Sequence, residues 1–378
     1  MEKTTTAPRV EIVGSFLPPE ELENAIADKR RGAISDEEFH AVEDAVIDRL
    51  IDREIEAGLK IVTDGEMRRK WWDRDFWEGL EGIDRERIES GSVWQDEPAR
   101  RDLLRFNGRI GFNPEHPFFE KFTHLKKLAA GRAEVRQTIP SPGELYMRII
   151  SFTDGKPERI YPSPETLVED IIEAYRLTIE ELYRLGCRHI QFDSTVWGRL
   201  TDTYFQRTLL LAGLDPDVIT GRLIEFINKT VAGRPADLEI TLAITDEARL
   251  PNWDYEAEQA HLHRMFEEVD ADAFLLPFDL TSPGQLEQLR WAPAGKRVII
   301  GLVNSATSGL ENVADIVNAI RVARSYVADD KLSISPICGF KVSDRELQGL
   351  NYETQWTKID LLNRAAEIAA QEECIILN

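Results

Sequence analysis

The stretch SPETLVEDIIEAYRLTIEELYRLGCRHIQFDS, residues 163–194, holds one complete unit of the pattern that decides the fold. Ser163 is placed to cap a helix, and Pro164 sits in the first turn, where a missing N–H costs nothing. Leu167, Ile171, Tyr175 and Leu182 then recur on one helical face, and Gly186 closes the helix. A strand follows at once, His189 to Asp193, and it ends on a carboxylate. A helix that feeds directly into an apolar strand is the unit from which helix-covered parallel sheets are built.

The same alternation extends in both directions. Strands are expected over Arg9 to Val13, Lys60 to Thr63, Glu134 to Ile139, His189 to Asp193, Leu238 to Ala243, Ala273 to Leu276, Arg297 to Val303 and Leu332 to Ser335. Eight such segments, most followed by helix, point to an α/β fold of the (β/α)8 TIM-barrel type, with residues 1–378 forming a single barrel domain. Before the second strand, Ser35-Asp36-Glu37-Glu38 forms a capping box, Phe39, Val42, Val46, Leu50 and Ile51 make the apolar stripe, and Gly58 ends the helix. Residues 70–133 form a longer segment with Trp71, Trp72, Trp77, Trp94, Phe112, Phe118 and Phe119, expected as an aromatic-rich insertion after strand two that serves as a lid or a subunit contact. No glycine-rich phosphate fingerprint is present.

Composition narrows the partners. A formal net charge of -22 works against binding to nucleic acid or to an anionic membrane, since both require a basic face. Three cysteines in 378 residues give no disulfide framework, and no run of about 18 apolar residues could span a bilayer. A cytoplasmic protein acting on a small molecule is expected, with a homo-oligomer as one use of the insertion. Cys187 and Cys374 lie in or beside apolar runs and read as small buried hydrophobes. His261 and His263 are two apart on a helix and face different ways, which makes them a poor metal pair.

Chemistry in a barrel of this type sits at the C-terminal ends of the strands. The residues there are Gly14-Ser15-Phe16, Asp64-Gly65-Glu66-Met67-Arg68-Arg69, Pro140-Ser141-Pro142-Gly143, Asp193-Ser194-Thr195, Asn304-Ser305 and Cys338-Gly339. Glu66 and Asp193 are a carboxylate pair suited to grip an ammonium group or to exchange protons. Arg68 and Arg69 offer forks for a substrate anion or act as surface charges, and Asp64 and Asp193 also suit helix capping. The expected catalytic set is Glu66, Asp193 and Cys338; the expected substrate-binding set is Ser15, Asp64, Glu66, Arg68, Asp193, Trp197 and Asn304.

Four motifs together, Val13-Gly14-Ser15-Phe16, Val62-Thr63-Asp64-Gly65-Glu66-Met67-Arg68-Arg69, Gly186-Cys187-Arg188-His189-Ile190-Gln191-Phe192-Asp193 and Ser335-Pro336-Ile337-Cys338-Gly339-Phe340, resemble the short, single-barrel relatives of the catalytic domain of cobalamin-independent methionine synthase. The resemblance spans nearly the whole chain and implies a (β/α)8 barrel. It implies that Ser15, Glu66 and Asp193 bind the amino-acid part of homocysteine, with the two carboxylates on its ammonium group. Cys338 matches a zinc ligand; in the family the zinc holds the substrate thiol as thiolate, ready for a methyl group from methyltetrahydrofolate. A related branch adds the thiol of coenzyme M to an epoxide.

The other ligands that the resemblance implies are a His-x-Cys pair after strand five and a glutamate after strand six. This sequence has Ala243, Thr245 and Pro277 at those positions. One thiolate does not make a zinc site, so no zinc and no other cofactor is expected; folate enters only with methyl transfer. Asp246, Glu247 and Asp279 lie near the vacated positions, but hard carboxylates with one soft sulfur suit no common metal well, and the first two fit a helix N-terminus.

Three functions follow. In the first, the barrel acts on an amine- or amino-acid-bearing substrate by elimination, bond cleavage or hydrolysis, without zinc. In the second it still transfers a methyl or alkyl group to a thiol, with a general base in place of the metal. In the third it binds a ligand without catalysis.

Overall fold

The strands of the computed structural model, which describes residues 7–87, 102–152, 160–245, 256–341 and 349–376, are β1 (Arg9–Val10), β2 (Ile61–Val62), β3 (Glu81–Arg87), β4 (Asp102–Gly111), β5 (Glu134–Pro140), β6 (His189–Ser194), β7 (Glu239–Ile244), β8 (Ala273–Pro277), β9 (Arg297–Val303) and β10 (Leu332–Pro336). Eight of them form one parallel sheet in the order β1-β10-β9-β8-β7-β6-β5-β2. The two ends of that order meet beyond the regular ladder. The Phe16 N–H donates to the Gly65 carbonyl (3.0 Å) and the Thr63 hydroxyl to the Gly14 carbonyl (2.7 Å), closing the sheet into a barrel. All eight expected strands are present, the first two shorter than expected.

Alternation along each strand separates two environments. Ile190 and Phe192 of β6, Ile240 and Leu242 of β7, and Val298 and Ile300 of β9 join the main core, which includes the inward faces of the helices. Val13, Ala243, Ala273, Leu275 and Ile299 form a separate small cluster. The remaining positions of that second set are polar and ionic. The Glu11 carboxylate accepts from Arg136 (2.5 Å) and from Arg297, which also reaches Glu239 (2.6 Å). Arg136 donates further to Gln191 (3.2 Å) and to the Ile12 carbonyl (3.3 Å). Burial pushes Glu11 up, but Arg136 and Arg297 more than offset it and hold the carboxyl below its ordinary value. Glu239 is likewise opposed by burial and brought to about 2 by His189 and Arg297.

Local signals build the helices. Ser35 accepts from the Glu38 N–H (3.1 Å) and Glu38 from the Ser35 N–H (2.8 Å), so both arms of the capping box form at the start of the Asp36–Glu56 helix. Ser163 accepts from the Thr166 N–H (3.3 Å) to open the Pro164–Arg184 helix, which ends before Gly186 at φ +96°. A 3₁₀ stretch, Pro283–Trp291, stands where a helix would follow β8. His261 bonds the Thr220 hydroxyl (2.8 Å) while His263 lies against the Trp291 ring, on a different face.

Residues 70–133 contain both covering structure and an inserted strand pair. The Pro117–Ala129 helix is an ordinary covering helix, because Phe118, Phe119, Phe122 and Leu125 fall on one face and all enter the main core. Trp71 and Trp77 are buried too, Trp77 donating its indole N–H to the Tyr175 hydroxyl (2.9 Å). The inserted piece is the antiparallel pair β3–β4. It lies against the Pro164–Arg184 helix, held by Arg109 on Asp170 (2.7 Å) and by the Ile110 N–H on the Tyr161 hydroxyl (2.6 Å). Trp94 lies outside the described residues. Among the described residues no helix is long and apolar enough to cross a membrane.

Candidate active site

At the C-terminal mouth of the barrel a cavity is lined by Ser15, Glu66, Asp193, Thr195, Cys338 and Lys341, with Val13, Trp72, Thr245 and Gly339 completing the wall. Residues from the ends of β1, β2, β6, β7 and β10 therefore converge on one space.

The turn after β2 aims Glu66. Gly65 and Glu66 both have left-handed backbone, at φ +63° and +55°, and the second is costly for a residue with a Cβ. Side chains hold the turn: Thr63 accepts from the Gly65 N–H (3.1 Å), and Asp64 accepts from the Glu66 N–H (3.0 Å). Behind it, burial pushes the Glu54 carboxyl well up, and Glu54 receives the Thr63 N–H (3.3 Å). The Glu66 Oε1 atom then takes an Arg69 N–H (3.1 Å) and the Thr138 hydroxyl (2.9 Å). Glycine is required across the gap, since a Cβ on Gly14 would stand 2.9 Å from a Thr138 methyl carbon and 3.4 Å from the Glu66 oxygen.

Asp193 faces a different environment. It is 6% exposed and accepts from a neutral amide, that of Gln191, at 2.7 Å. Burial pushes its carboxyl well above the ordinary aspartate value, and the nearby Glu66 pushes it the same way. Beside it Glu144 fixes the loop after β6 by accepting from Ser194 (2.7 Å), Thr195 (3.1 Å) and the Val196 N–H (2.8 Å).

The third wall joins the two ends of the chain. Cys338 follows β10 and carries a partly exposed thiol that is in no disulfide. Gly339 packs against Ser15 so closely that a Cβ would fall 2.0 Å from the Ser15 oxygen. The Lys341 N–H donates to that oxygen (3.2 Å), and the Phe340 N–H donates to the Ser15 carbonyl (2.9 Å). The Lys341 ammonium reaches the Arg69 carbonyl (2.5 Å), and burial pulls its pKa below the usual lysine value.

Of the residues expected to bind substrate, Ser15, Glu66 and Asp193 line the cavity and four do not. Asp64 is consumed by the turn it caps. Arg68 points to the Asp36–Glu56 helix, where it meets Asp44 and Glu43, the latter at 3.5 Å. Trp197 belongs to the main core. Asn304 shapes its own loop by accepting from the Ala306 N–H (2.8 Å). Arg69, next to Arg68, is the arginine that reaches Glu66. Sequence reasoning missed Thr138 and Lys341; the second stands one residue beyond the Ser335 to Phe340 motif, and its position there is the signal that was available.

The donor set does not fit the zinc that the resemblance implies. Ala243 belongs to the small interior cluster and has no donor atom, Pro277 ends β8 and has none, and Thr245 presents a neutral hydroxyl to the cavity. Asp279 is engaged in its own turn with Thr281 (2.8 Å), and Asp246 and Glu247 lie outside the described residues. Among the described residues no group of three His, Cys, Asp or Glu side chains is placed to hold a metal ion.

A closed parallel barrel with buried ionisable groups gathered at its C-terminal mouth defines a protein of the (β/α)8 class. No family model matches the sequence. The uncharacterized protein YxjG of Bacillus subtilis is 33% identical over 365 residues, covering 96% of this chain and 93% of that one. A methionine synthase of Pyrococcus horikoshii is 24% identical over 96% of this chain and 92% of its own length. The crystal structure of a candidate vitamin-B12-independent methionine synthase from Listeria monocytogenes superposes with a TM-score of 0.74 at 28% identity, covering 96% of this chain and 98% of that one. The chain belongs to the cobalamin-independent methionine synthase family.

Proposed function

We propose that the barrel binds a small amine- or amino-acid-bearing molecule between Glu66 and Asp193 and acts on it without zinc. One observation carries this reading: both carboxylates and Cys338 line one cavity, whereas the positions that would complete a zinc site carry Ala243, Thr245 and Pro277. Glu66, with Arg69 and Thr138 on one oxygen, serves as the fixed anionic anchor. Asp193, whose surroundings favour its neutral form, serves as the group that gives or takes a proton. Proton abstraction followed by elimination, bond cleavage or hydrolysis needs no metal and matches this pair, with Cys338 available as nucleophile or second proton carrier.

A thermal-shift and calorimetric screen of small amines and amino acids tests the anchor. A ligand found with the wild-type protein should bind at least about tenfold more weakly to Glu66→Gln and Asp193→Asn, the loss expected when a charge-assisted hydrogen bond to a buried group is removed. Equal affinity in both variants would remove the pair from the site. A second reading, alkyl transfer to a thiol with a base in place of the metal, draws on the retained Cys338 position and on relatives named methionine synthase. Methionine formation from homocysteine and methyltetrahydrofolate, above background and without added metal, would favour it over the first; turnover of no bound ligand would leave a binding barrel.

A further inference from the structure

Exposed apolar side chains on a folded protein usually stand singly and carry no meaning. In this barrel they cluster: of the six large apolar side chains exposed among the described residues, four fall between Tyr204 and Val218. Tyr204 is 78% exposed and Leu211 90%, and Leu210 and Val218 are each more than half exposed. They lie on the connection that leaves the cavity at Thr195, in the Thr203–Leu211 helix and the first turn of the Pro216–Val231 helix. Tyr204, Arg207, Thr208 and Leu211 recur at the spacing of one helical face, and all four are exposed.

The face is held outward by firm local structure. Asp202 accepts from the Tyr204 N–H (2.7 Å) to open the helix, and the Leu214 N–H returns to the Leu209 carbonyl (2.8 Å) to close it, with Gly213 at φ +78°. Leu209 enters the main core, and Phe205 and Leu214 pack against it. A helix anchored on one side cannot turn its other apolar side inward. Any cover for the outer leucines therefore comes from outside the helix.

Charge selects the occupant. With a formal net charge of -22, two copies of the chain repel each other over their surfaces at large. From Thr203 to Leu214 there is no acid and one base, Arg207, and acids resume at Asp202 on one side and at Asp215 and Asp217 on the other. Two copies meet with least repulsion there, and the window carries its own complement. Arg207 precedes Leu211 by four residues and Asp215 follows it by four. A two-fold axis near Leu211 stacks the two leucines and brings Arg207 of each copy toward Asp215 and Asp217 of the other, the reciprocal pattern of an isologous contact. A basic partner would be drawn to the acids but repelled by Arg207, and an acidic one would meet the charge of the whole chain.

We propose that this face is a homodimer contact, with two copies of the chain joined isologously through the Thr203–Leu211 helix and the start of the Pro216–Val231 helix. The inference is independent of the amine reading of the cavity. One short helix and one turn from each copy make a small interface, so the dissociation constant is on the order of 10 µM.

Sedimentation velocity on the full chain, run a decade below and a decade above that concentration, should show the mass moving from one chain toward two. Leu211→Glu should weaken the dimer at least about tenfold by placing two carboxylates on the axis, and Arg207→Glu should do the same by facing Asp215 and Asp217 with a like charge. Leu310→Glu alters an exposed leucine elsewhere on the barrel and should leave the association unchanged. At the lower concentration, where every protein is a monomer, all three variants should melt with wild type because each side chain is exposed. A wild-type protein that stays monomeric at the higher concentration overturns the proposal. So does a dimer that survives Leu211→Glu or Arg207→Glu, or one that Leu310→Glu weakens as much. A Leu211→Glu protein that melts well below wild type, or does not fold, overturns it too, since the leucine would then be covered by its own chain.

Discussion

The barrel encloses two groups of buried charge, and they are finished to different degrees. Near the N-terminal ends of the strands Glu11, Arg136, Arg297 and Glu239 are interlocked, each acid facing arginine and each arginine facing acid. At the opposite end Asp193 faces an amide and Lys341 a carbonyl. Paired charges in a barrel floor cost little once formed and fix the packing of the strands around them. Charges left partly matched at the mouth raise the free energy of the empty protein, and an appropriate ligand returns that cost on binding. Gln191 connects the groups, since it takes Arg136 on its oxygen (3.2 Å) and gives its amide to Asp193 (2.7 Å).

The largest effect is expected at the floor. Arg136→Met leaves one oxygen of a fully buried Glu11 without its partner and frees the oxygen of Gln191, and breaking such a pair on one side costs about 3–5 kcal/mol. Urea denaturation should therefore show Arg136→Met as the most destabilised variant, with ligand affinity reduced as well through Gln191. A loss below about 1 kcal/mol would mean that Arg297 alone satisfies Glu11 and that the two ends of the barrel are less different than their hydrogen bonds indicate.

Asp193→Asn should act in the opposite direction on stability. The carboxyl of Asp193 is pushed up in the folded state, so the folded protein holds its proton more tightly than the unfolded chain does. That contribution is fully present below the unfolded aspartate value of about 3.9 and is lost as pH rises through the higher folded value. The asparagine variant has no such loss. Its stability relative to wild type should rise with pH above about 4, as measured by denaturation midpoints across a pH series, while its affinity for an ammonium ligand falls. A flat difference across the series would show that Asp193 is compensated like the floor residues.

Much of this contrast was readable in the sequence, but not all of it. The eight strands are short runs rich in β-branched and other apolar residues, with helices capped by Ser35 and Ser163 between them, and such local signals survive folding because each is settled within a few residues. In the β3–β4 pair, β3 carries no strand signal because Glu81, Asp84, Arg85, Glu86 and Arg87 leave it Ile83 as its one apolar residue, whereas β4 does alternate, with Leu104, Phe106 and Ile110 packing on the core; the pair rests on the Pro164–Arg184 helix. At the mouth, Ser15, Glu66, Asp193 and Cys338 could be named together because each follows a strand end. Lys341 was marked by nothing more than its place one residue beyond the Ser335 to Phe340 motif, since its position on the wall depends on Ser15, 326 residues away. Nor could Arg68 be told from Arg69, because the left-handed Glu66 decides which of the two turns inward, and φ is not written in the residue type.

The smallest effect expected is the one that checks that last distinction. Arg68 bonds Asp44, which is half exposed, and stands 3.5 Å from Glu43, which retains His40 at 2.8 Å. Removing the arginine therefore strands no buried acid, and partly exposed pairs of this kind contribute about 0–1 kcal/mol. Arg68→Ala should unfold within that margin of wild type and bind ligand with unchanged affinity, whereas Arg69→Ala removes the donors on Glu66 and Thr138 and should weaken binding strongly. If Arg68→Ala loses as much affinity as Arg69→Ala, a substrate anion extends past the Lys341 wall to the rim. The under-matched region would then be larger than the cavity, and the line between the finished and unfinished charges would have to be moved outward to include the Asp36–Glu56 helix.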